Sequence, residues 1–519
     1  MNKQWLFLVF LGVCAQGIAA SKPNIVYILA DDMGPGDVSC YNAEGKIPTP
    51  HIDRMAREGM KFMDAHTGSS VCTPTRYGII TGRYCWRTRK KEGVLGGHSN
   101  PLIPQSRETV ASFLKKEDYA TAIIGKWHLG MSWENDAAPN AKRVTAKNVK
   151  NPKAPIKNGP TTLGFDYYFG LSSSLDHDPH AYVENDQLLG ELELETGKRY
   201  GPEMVARGLP SGHPGWCAKG FKNEMVLTDL ARKTDEWITA NRDRPFFVYL
   251  ALTSPHMPIC PRKEFQGKSG IGKHGDFVME TDWVVGEVLK TLDKLNLAEN
   301  TLVIFTSDNG TSGKAGIPNM EKLGHFPSGI YRGQKKSIFE GGHRMPFVAR
   351  WPKTIKPGTE STDLICTTDL LATLADLAGK TLPDDVGEDS VSFLPALQGK
   401  RIPGAQERLV VHHDSAGYFA ARKGKWKLVL DAYNGKKTGT IKGAPIKNES
   451  RTMLFDMNAD PRETDNLIQQ YPEVAEALKN ELAGIIQAGR STPGSAQAND
   501  PLRKGESWKQ LELLAEYLK

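Results

Sequence analysis

Past its first twenty residues the chain has no apolar run long enough to cross a bilayer, which excludes a helical multi-span membrane protein. Cysteine is scarce, with seven in 519 residues and no dense spacing, so a small disulfide-stapled fold is excluded. Setting aside Cys14 and Cys72 leaves Cys40, Cys85, Cys217, Cys260 and Cys366. Five is odd, so one or two disulfides are permitted and their connectivity is not readable. No block of basic residues is interleaved with aromatics. The net charge of +6 is a mild bias, compatible with anionic substrates and far from a nucleic-acid-binding composition. No internal repeat is present.

What remains is ordinary for a globular chain: 39% hydrophobic and 24% charged residues. The length predicts a large core and two units, residues 21–400 and 401–519. Met1–Ala20 reads as a secretory signal: Lys3 gives the charged start, Trp5–Val13 the apolar stretch and Gly17–Ala20 the small residues near a cut. The expected location is secreted or periplasmic. A lipoprotein with Cys14 as acceptor fits less well, because Val13 precedes it.

Three apolar runs read as buried strands and share one feature. Asn24–Ala30, rich in β-branched residues, ends in Asp31-Asp32-Met33-Gly34. Pro245–Ala251 leads to Pro255-His256-Met257-Pro258, and Thr301–Thr306 to Ser307-Asp308-Asn309-Gly310. Open α/β sheets bind ligands outside the carboxyl ends of their strands. Adjacent acids repel unless a cation lies between them, and an oxygen-only set of carboxylates and one amide suits Ca²⁺ or Mg²⁺ over zinc. Taken singly, each group also fits a solvated turn or a structural histidine.

Cys72-Thr73-Pro74-Thr75-Arg76 precedes Tyr77-Gly78-Ile79-Ile80-Thr81-Gly82-Arg83. Pro74 suits the first turn of a helix, with Cys72 at its N-terminus and Arg76 also in that turn. A short strand, Ala120–Ile124, ends in Gly125-Lys126-Trp127-His128-Leu129-Gly130. Ser172–His180 carries Asp176, His177, Asp178 and His180 in a spacing that fits a substrate-facing loop better than a metal site. Thr49 and Pro50 are expected to cap and start a helix; Thr109–Lys116, Met225–Asn241, Asp276–Leu295, Asp363–Ala378 and Val474–Ala488 also read as helices, with an uncertain last one near Leu511–Leu518. Residues 135–160 read as a surface insertion. Arg408–His413, Tyr418–Arg422 and Trp426–Asp431 are expected as short strands, with a hairpin turn at Lys423-Gly424-Lys425.

The Cys72 segment followed by Thr81-Gly82-Arg83 resembles the signature of the formylglycine-dependent sulfatases of the alkaline phosphatase superfamily. The Gly125–Gly130 hexapeptide is similar to the family's second signature. Tyr331–Gly342 (YRGQKKSIFEGG) is similar to a third segment, in which Lys335 is the matching lysine. The resemblance runs from Asn24 to the region near Leu467 and is nearest to bacterial arylsulfatases and N-acetylgalactosamine-6-sulfatase-like members. It implies an α/β fold with a large mixed β-sheet between helices and a smaller C-terminal α+β unit on an antiparallel sheet. It implies hydrolysis of sulfate monoesters of carbohydrate, and oxidation of Cys72 to formylglycine (3-oxoalanine) by a maturation enzyme. It further implies one Ca²⁺, with Mg²⁺ less favoured, on Asp31, Asp32, Cys72, Asp308 and Asn309. Arg76, Lys126, His128, His256 and Lys335 would surround the sulfate, with Asp308 as proton acceptor and His256 or a neighbour as proton donor. Pocket candidates are Trp86, Arg87, His98, Asp176, His177, His180, His213, Trp216 and His343, with Arg344 alternatively a structural ion-pair partner. Two other readings stay open: a phosphomonoesterase or phosphodiesterase on the same fold, and a catalytically silent glycan-binding protein if Cys72 is not matured.

Overall fold

The computed structural model describes residues 22–136, 144–194, 213–433, 445–502 and 507–518. The signal segment and Cys14 lie outside the described residues, as does part of the 135–160 insertion.

The fold is built outward from the strand Asn24–Asp31, which is buried along its whole length. It has parallel neighbours on both sides, Phe246–Pro255 and Thr301–Ser307, so its near-continuous apolar run is what a doubly covered strand requires. Ala120–Lys126 and then Tyr167–Leu171 continue the parallel set beyond Phe246–Pro255. Beyond Thr301–Ser307 the antiparallel Phe347–Arg350 is followed by Met60–Phe62 and Thr359–Ser361, and beyond Tyr167–Leu171 the antiparallel Val183–Glu184 is followed by Gln187–Leu188, giving a ten-stranded mixed sheet. Gly170 and Gly125 sit side by side on adjoining strands. A Cβ on Gly170 would lie 1.8 Å from the Gly125 carbonyl oxygen, so the strands close up only without a side chain there.

Two helix groups pack on the sheet. One comprises Pro50–Glu58, Val226–Ala240 and Lys273–Lys294; the other comprises Cys72–Thr81, Val110–Lys116 and Leu370–Leu377. Pro50 does open its helix, but the Thr49 hydroxyl bonds Asp53 rather than a helix N–H. Those N–H groups, from His51 and Ile52, go to the Asp282 carboxylate of the neighbouring helix. The helix expected over Asp363–Ala378 is shorter. Its first part is a two-residue strand, Ile365–Cys366, and a 3-10 turn, because the short strand pairs with Ala65–His66. Near the end of the chain, Lys509–Leu514 is a 3-10 turn.

Val410–His413, Phe419–Lys423, Trp426–Leu430 and Thr452–Asp456 form a four-stranded antiparallel sheet. The helix Pro472–Ala488 packs against it. Trp86 and Arg87, expected in a substrate pocket, are instead buried where this sheet meets the larger unit. Trp86 stacks on Tyr84 at 5.5 Å and meets Phe419 edge-on at 5.4 Å. Arg87 forks onto Asp389 with two 2.8 Å bonds and lies 4.2 Å from the Trp86 ring. No disulfide forms among Cys40, Cys72, Cys85, Cys217, Cys260 and Cys366 in the described residues.

The polar half of the junction centres on Lys427. Its Nζ lies 3.0 Å from Glu340 and 2.6 Å from Glu463, all three fully buried. Burial opposes ionisation of Glu340, yet Lys427 and Arg344 hold it well below the usual carboxylate range. Burial pushes Glu463 up to about 7. His343, expected to face substrate, belongs to this network: it stacks on His412 at 4.0 Å, meets His66 Nδ1 at 3.0 Å, and its Nε2 is 3.1 Å from Lys427. Arg344 is an ion-pair partner of Glu340 and Asp64, at 2.7 Å each.

Replacing Lys427 with Met strands two buried carboxyl groups and is expected to cost about 3–5 kcal/mol in urea unfolding. A loss under about 1 kcal/mol would show that the junction does not depend on this lysine. Asp414 gives a pH test. Its carboxyl, pushed by burial from 3.8 up to about 7, accepts the Ala416 and Tyr418 N–H groups through one oxygen. The folded state therefore keeps a proton that the unfolded chain loses. This stabilisation is full below the unfolded pKa and is lost as pH rises through the folded one. Asp414→Asn is expected to gain on the native protein by roughly 1.4 kcal/mol per pH unit between about pH 4.5 and 7, read by urea unfolding. A pH-independent difference would contradict it.

Candidate functional site

Parallel strands share a direction, so their carboxyl ends meet at one edge of the sheet. Asp31 ends the first strand, Lys126 ends Ala120–Lys126, His256 follows Phe246–Pro255, and Asp308 and Asn309 follow Thr301–Ser307. The helix Cys72–Thr81 begins at this edge with Cys72 as its first residue. Arg76 therefore lies one turn on rather than in the first turn, which puts it on the same face as Cys72.

All these side chains are buried, and cations alternate with anions among them. Lys126 Nζ is 2.6 Å from Asp31. Lys335 Nζ is 2.5 Å from Asp32 and 3.5 Å from Cys72 Sγ. Arg76 donates from Nε to Asp308 at 2.9 Å and from Nη1 to the Lys126 carbonyl at 3.1 Å. The Cys72 thiol lies 3.5 Å from Asp31 Oδ1. His256 donates from Nδ1 to the Met257 carbonyl, leaving Nε2 3.7 Å from Asp32. His128 Nε2 donates to the Leu95 carbonyl at 2.7 Å, so Nδ1 is a buried acceptor with no protein partner. The Thr73 hydroxyl donates to the His128 carbonyl at 3.0 Å and ties this loop to the start of the Cys72 helix.

The electrostatics follow from burial and pairing. Burial would raise Asp31, but Lys126, His256 and Arg76 hold it well below the ordinary range. Asp308 is raised by burial and by the neighbouring Asp31 charge. Burial, with Asp308 close by, pushes the Cys72 thiol far above its usual range. Burial and Lys126 keep His128 neutral.

The second loop meets this centre in part. The His177 ring is 5.7 Å from His128 and 5.2 Å from His213, and burial lowers His177 to about 4. Asp176, His177 and His213 form one cluster. His98 Nε2 pairs with Asp178 at 2.9 Å. His180 is buried with Nε2 on the His213 carbonyl, and Trp216 accepts the His180 N–H at its carbonyl. Close backbone approach explains the glycine that follows Asn309. A Cβ on Gly310 would fall 1.9 Å from the Gly341 carbonyl oxygen. Not singled out in the sequence are Ser307, whose hydroxyl accepts the Met33 N–H at 3.0 Å, and Asp37 and Thr311, which link the two acidic loops. The usable signal was their position within six residues of the acidic pairs.

A family model described as Sulfatase matches residues 23–380, and one described as the C-terminal part of N-sulphoglucosamine sulphohydrolase matches residues 329–488. The chain belongs to the sulfatase family. An N-acetylgalactosamine-6-O-sulfatase of Bacteroides thetaiotaomicron is 35% identical to this sulfatase over 499 residues, covering 90% of the chain and 94% of the relative. Steryl-sulfatase of Homo sapiens is 31% identical over 547 residues, covering 92% and 90%. A solved Bacteroides thetaiotaomicron structure, from work on the metabolism of multiple glycosaminoglycans, aligns with a TM-score of 0.77 at 32% identity, covering 90% of this chain and 99% of that one. The sulfatase is a sulfuric ester hydrolase, and the expected fold class holds.

The donor set of this sulfatase fits a hard cation. Ligand atoms of Asp31, Asp32, Cys72 and His256 lie within 4.8 Å of one another. Asp32 Oδ2 and Asn309 Oδ1 are buried without hydrogen-bond partners, so each has an oxygen lone pair unused by the protein. Saturating calcium, at about a hundredfold over its Kd, is therefore expected to add roughly 2.7 kcal/mol to stability, and a chelator to remove it. A melting temperature unmoved by either would count against the site. No helix among the described residues is long and apolar enough to cross a membrane.

Proposed function

We propose that this sulfatase removes sulfate from sulfated carbohydrate, with Cys72 matured to formylglycine and one calcium ion on Asp31, Asp32, Asp308 and Asn309. The observation that carries the reading is the environment of Cys72. Its Sγ lies 3.5 Å from Lys335 Nζ and 3.5 Å from Asp31, on which Lys126 and Arg76 also converge. This environment suits an oxygen nucleophile and an anionic substrate. The carbohydrate class is supported by the name of the Bacteroides relative.

Hydrated formylglycine supplies a geminal diol, one hydroxyl to attack sulfur and a second to release the sulfate afterwards without attack by water. Calcium would supply Lewis-acid polarisation of a sulfate oxygen, and an all-oxygen set suits a hard cation, calcium or magnesium, over zinc. Lys126 and Lys335 neutralise the sulfate oxygens in a buried setting where charge is poorly screened. Asp308 accepts the proton of the attacking hydroxyl. Arg76 holds Asp308 in place by its 2.9 Å bond. His128 accepts a hydroxyl hydrogen at its free Nδ1, and His256 protonates the departing alkoxide from Nε2. His177 and Asp176 face the sugar. The division into 21–400 and 401–519 assigns this chemistry to the first unit. Maturation by a formylglycine-generating enzyme, and the signal-like start, go with a secreted or periplasmic protein.

The test is the mass of the tryptic peptide carrying Cys72, from protein purified from its own source. A loss of about 18 Da (or its hydrate, near the unmodified mass) is expected. Cys72→Ala should lower kcat on a sulfated sugar by at least about a thousandfold. An unmodified thiol in material that still cleaves sulfate esters would overturn the mechanism.

A further inference from the structure

Asp37 does not touch the expected metal or the sulfate, yet it is fully buried and saturated with donors. Its Oδ2 accepts the Thr311 hydroxyl at 2.6 Å, the Gly34 N–H at 3.2 Å and His274 Nε2 at 3.2 Å. Its Oδ1 accepts His325 Nε2 at 2.9 Å. The Thr311 hydroxyl in turn accepts the Gly34 N–H at 2.9 Å, and the Thr311 carbonyl accepts the Lys335 N–H at 3.1 Å. The turn carrying Asp37 also bonds the 325–329 segment, through the Gly36 N–H on the Pro327 carbonyl at 2.8 Å.

These bonds connect three segments far apart in sequence. Gly34 belongs to the loop of Asp31 and Asp32. Thr311 lies two residues beyond Asn309. Lys335 reaches both Asp32 and Cys72. Thr311 is one of the side chains that hold the two acidic loops at a fixed spacing, beside Ser307 on the Met33 N–H and Asn309 on Asp32, and Asp37 fixes Thr311. Four oxygens from two loops can share one ion only if the loops keep that spacing, and groups behind metal ligands typically control affinity in this way.

We propose that Asp37, acting through the Thr311 hydroxyl, is a positioning residue that tightens the spacing of the Asp31–Asp32 and Asp308–Asn309 loops, and hence the affinity of their cation site. This rests on the calcium reading above and adds residues outside the expected ligand set. Thr311→Val removes the hydroxyl and keeps the shape of the side chain, while Thr311→Ser restores the hydroxyl. Asp37→Asn keeps the size of the acceptor and turns one oxygen into a donor that faces donors.

The experiment measures calcium affinity of the purified full chain by competition with a chromophoric chelator, alongside kcat and KM on one sulfated sugar and the melting temperature without calcium. Thr311→Val and Asp37→Asn are expected to weaken calcium binding by about 10- to 100-fold, and Thr311→Ser to bind within about threefold of the native protein. Raising calcium should recover kcat in Thr311→Val, which a merely unstable variant would not show. Native affinity in Thr311→Val overturns the inference alone. Equal weakening in Thr311→Ser and Thr311→Val also overturns it, because the hydroxyl is then not the group that matters. A native protein that takes up no calcium overturns the metal reading and this inference together.

Discussion

Three carboxylates, Asp31, Asp32 and Asp308, are driven into one buried corner by the ends of two adjacent parallel strands. That convergence is the constraint on which the rest of the site depends. Carboxylates so placed repel each other, and the fold answers with Lys126, Lys335 and Arg76, each drawn from a different segment. The same cations face the space above Cys72. A cluster of this kind favours an anion that arrives with many oxygens, which is what a sulfate ester offers. Its electrostatics therefore serve the folded state and the substrate with the same side chains.

The four-stranded sheet is joined to the larger unit by two kinds of contact. The apolar part buries Trp86 against Phe419, and the polar part buries Lys427 between Glu340 and Glu463. Glu340 opens the short helix Glu340–His343, whose glycines lie against Gly310. The junction thus reaches the loop carrying Asp308 and Asn309 through one short segment. His343 reads like a binding residue in isolation. In place it fills a stack of imidazoles between the two sheets, because its neighbours Arg344 and Glu340 are already committed to ion pairs there.

The misread elements share a cause. Asp363–Ala378 has a helical pattern, but its first residues pair with Ala65–His66, a partner some three hundred residues away. Trp86 and Arg87 follow the Cys72 helix closely, and sequence proximity alone assigns them to the same cleft. The chain turns inward after Gly82, and the exposed tryptophan that a pocket would need became part of the core. Local sequence cannot report such partners, since the deciding contacts are distant in the chain.

The sequence by itself determined the buried strands, because an unbroken β-branched run has no other stable place. It determined that acids, amides and imidazoles cap those strands, and its Cys72 and Gly125–Gly130 signatures were specific enough to point to a family. Tertiary structure decided the rest. It set Asp31, Asp308 and His256 at one edge, through the shared direction of their strands. It brought Lys335, already the matching lysine of its sequence segment, to Asp32 and Cys72, and left Lys336 exposed with its backbone at a φ of 77°. It placed Asp37 behind Thr311, an arrangement with no local signature because the bond between them crosses 274 residues of chain. Pattern tells which residues are buried or capped; only the packed chain tells which of them meet.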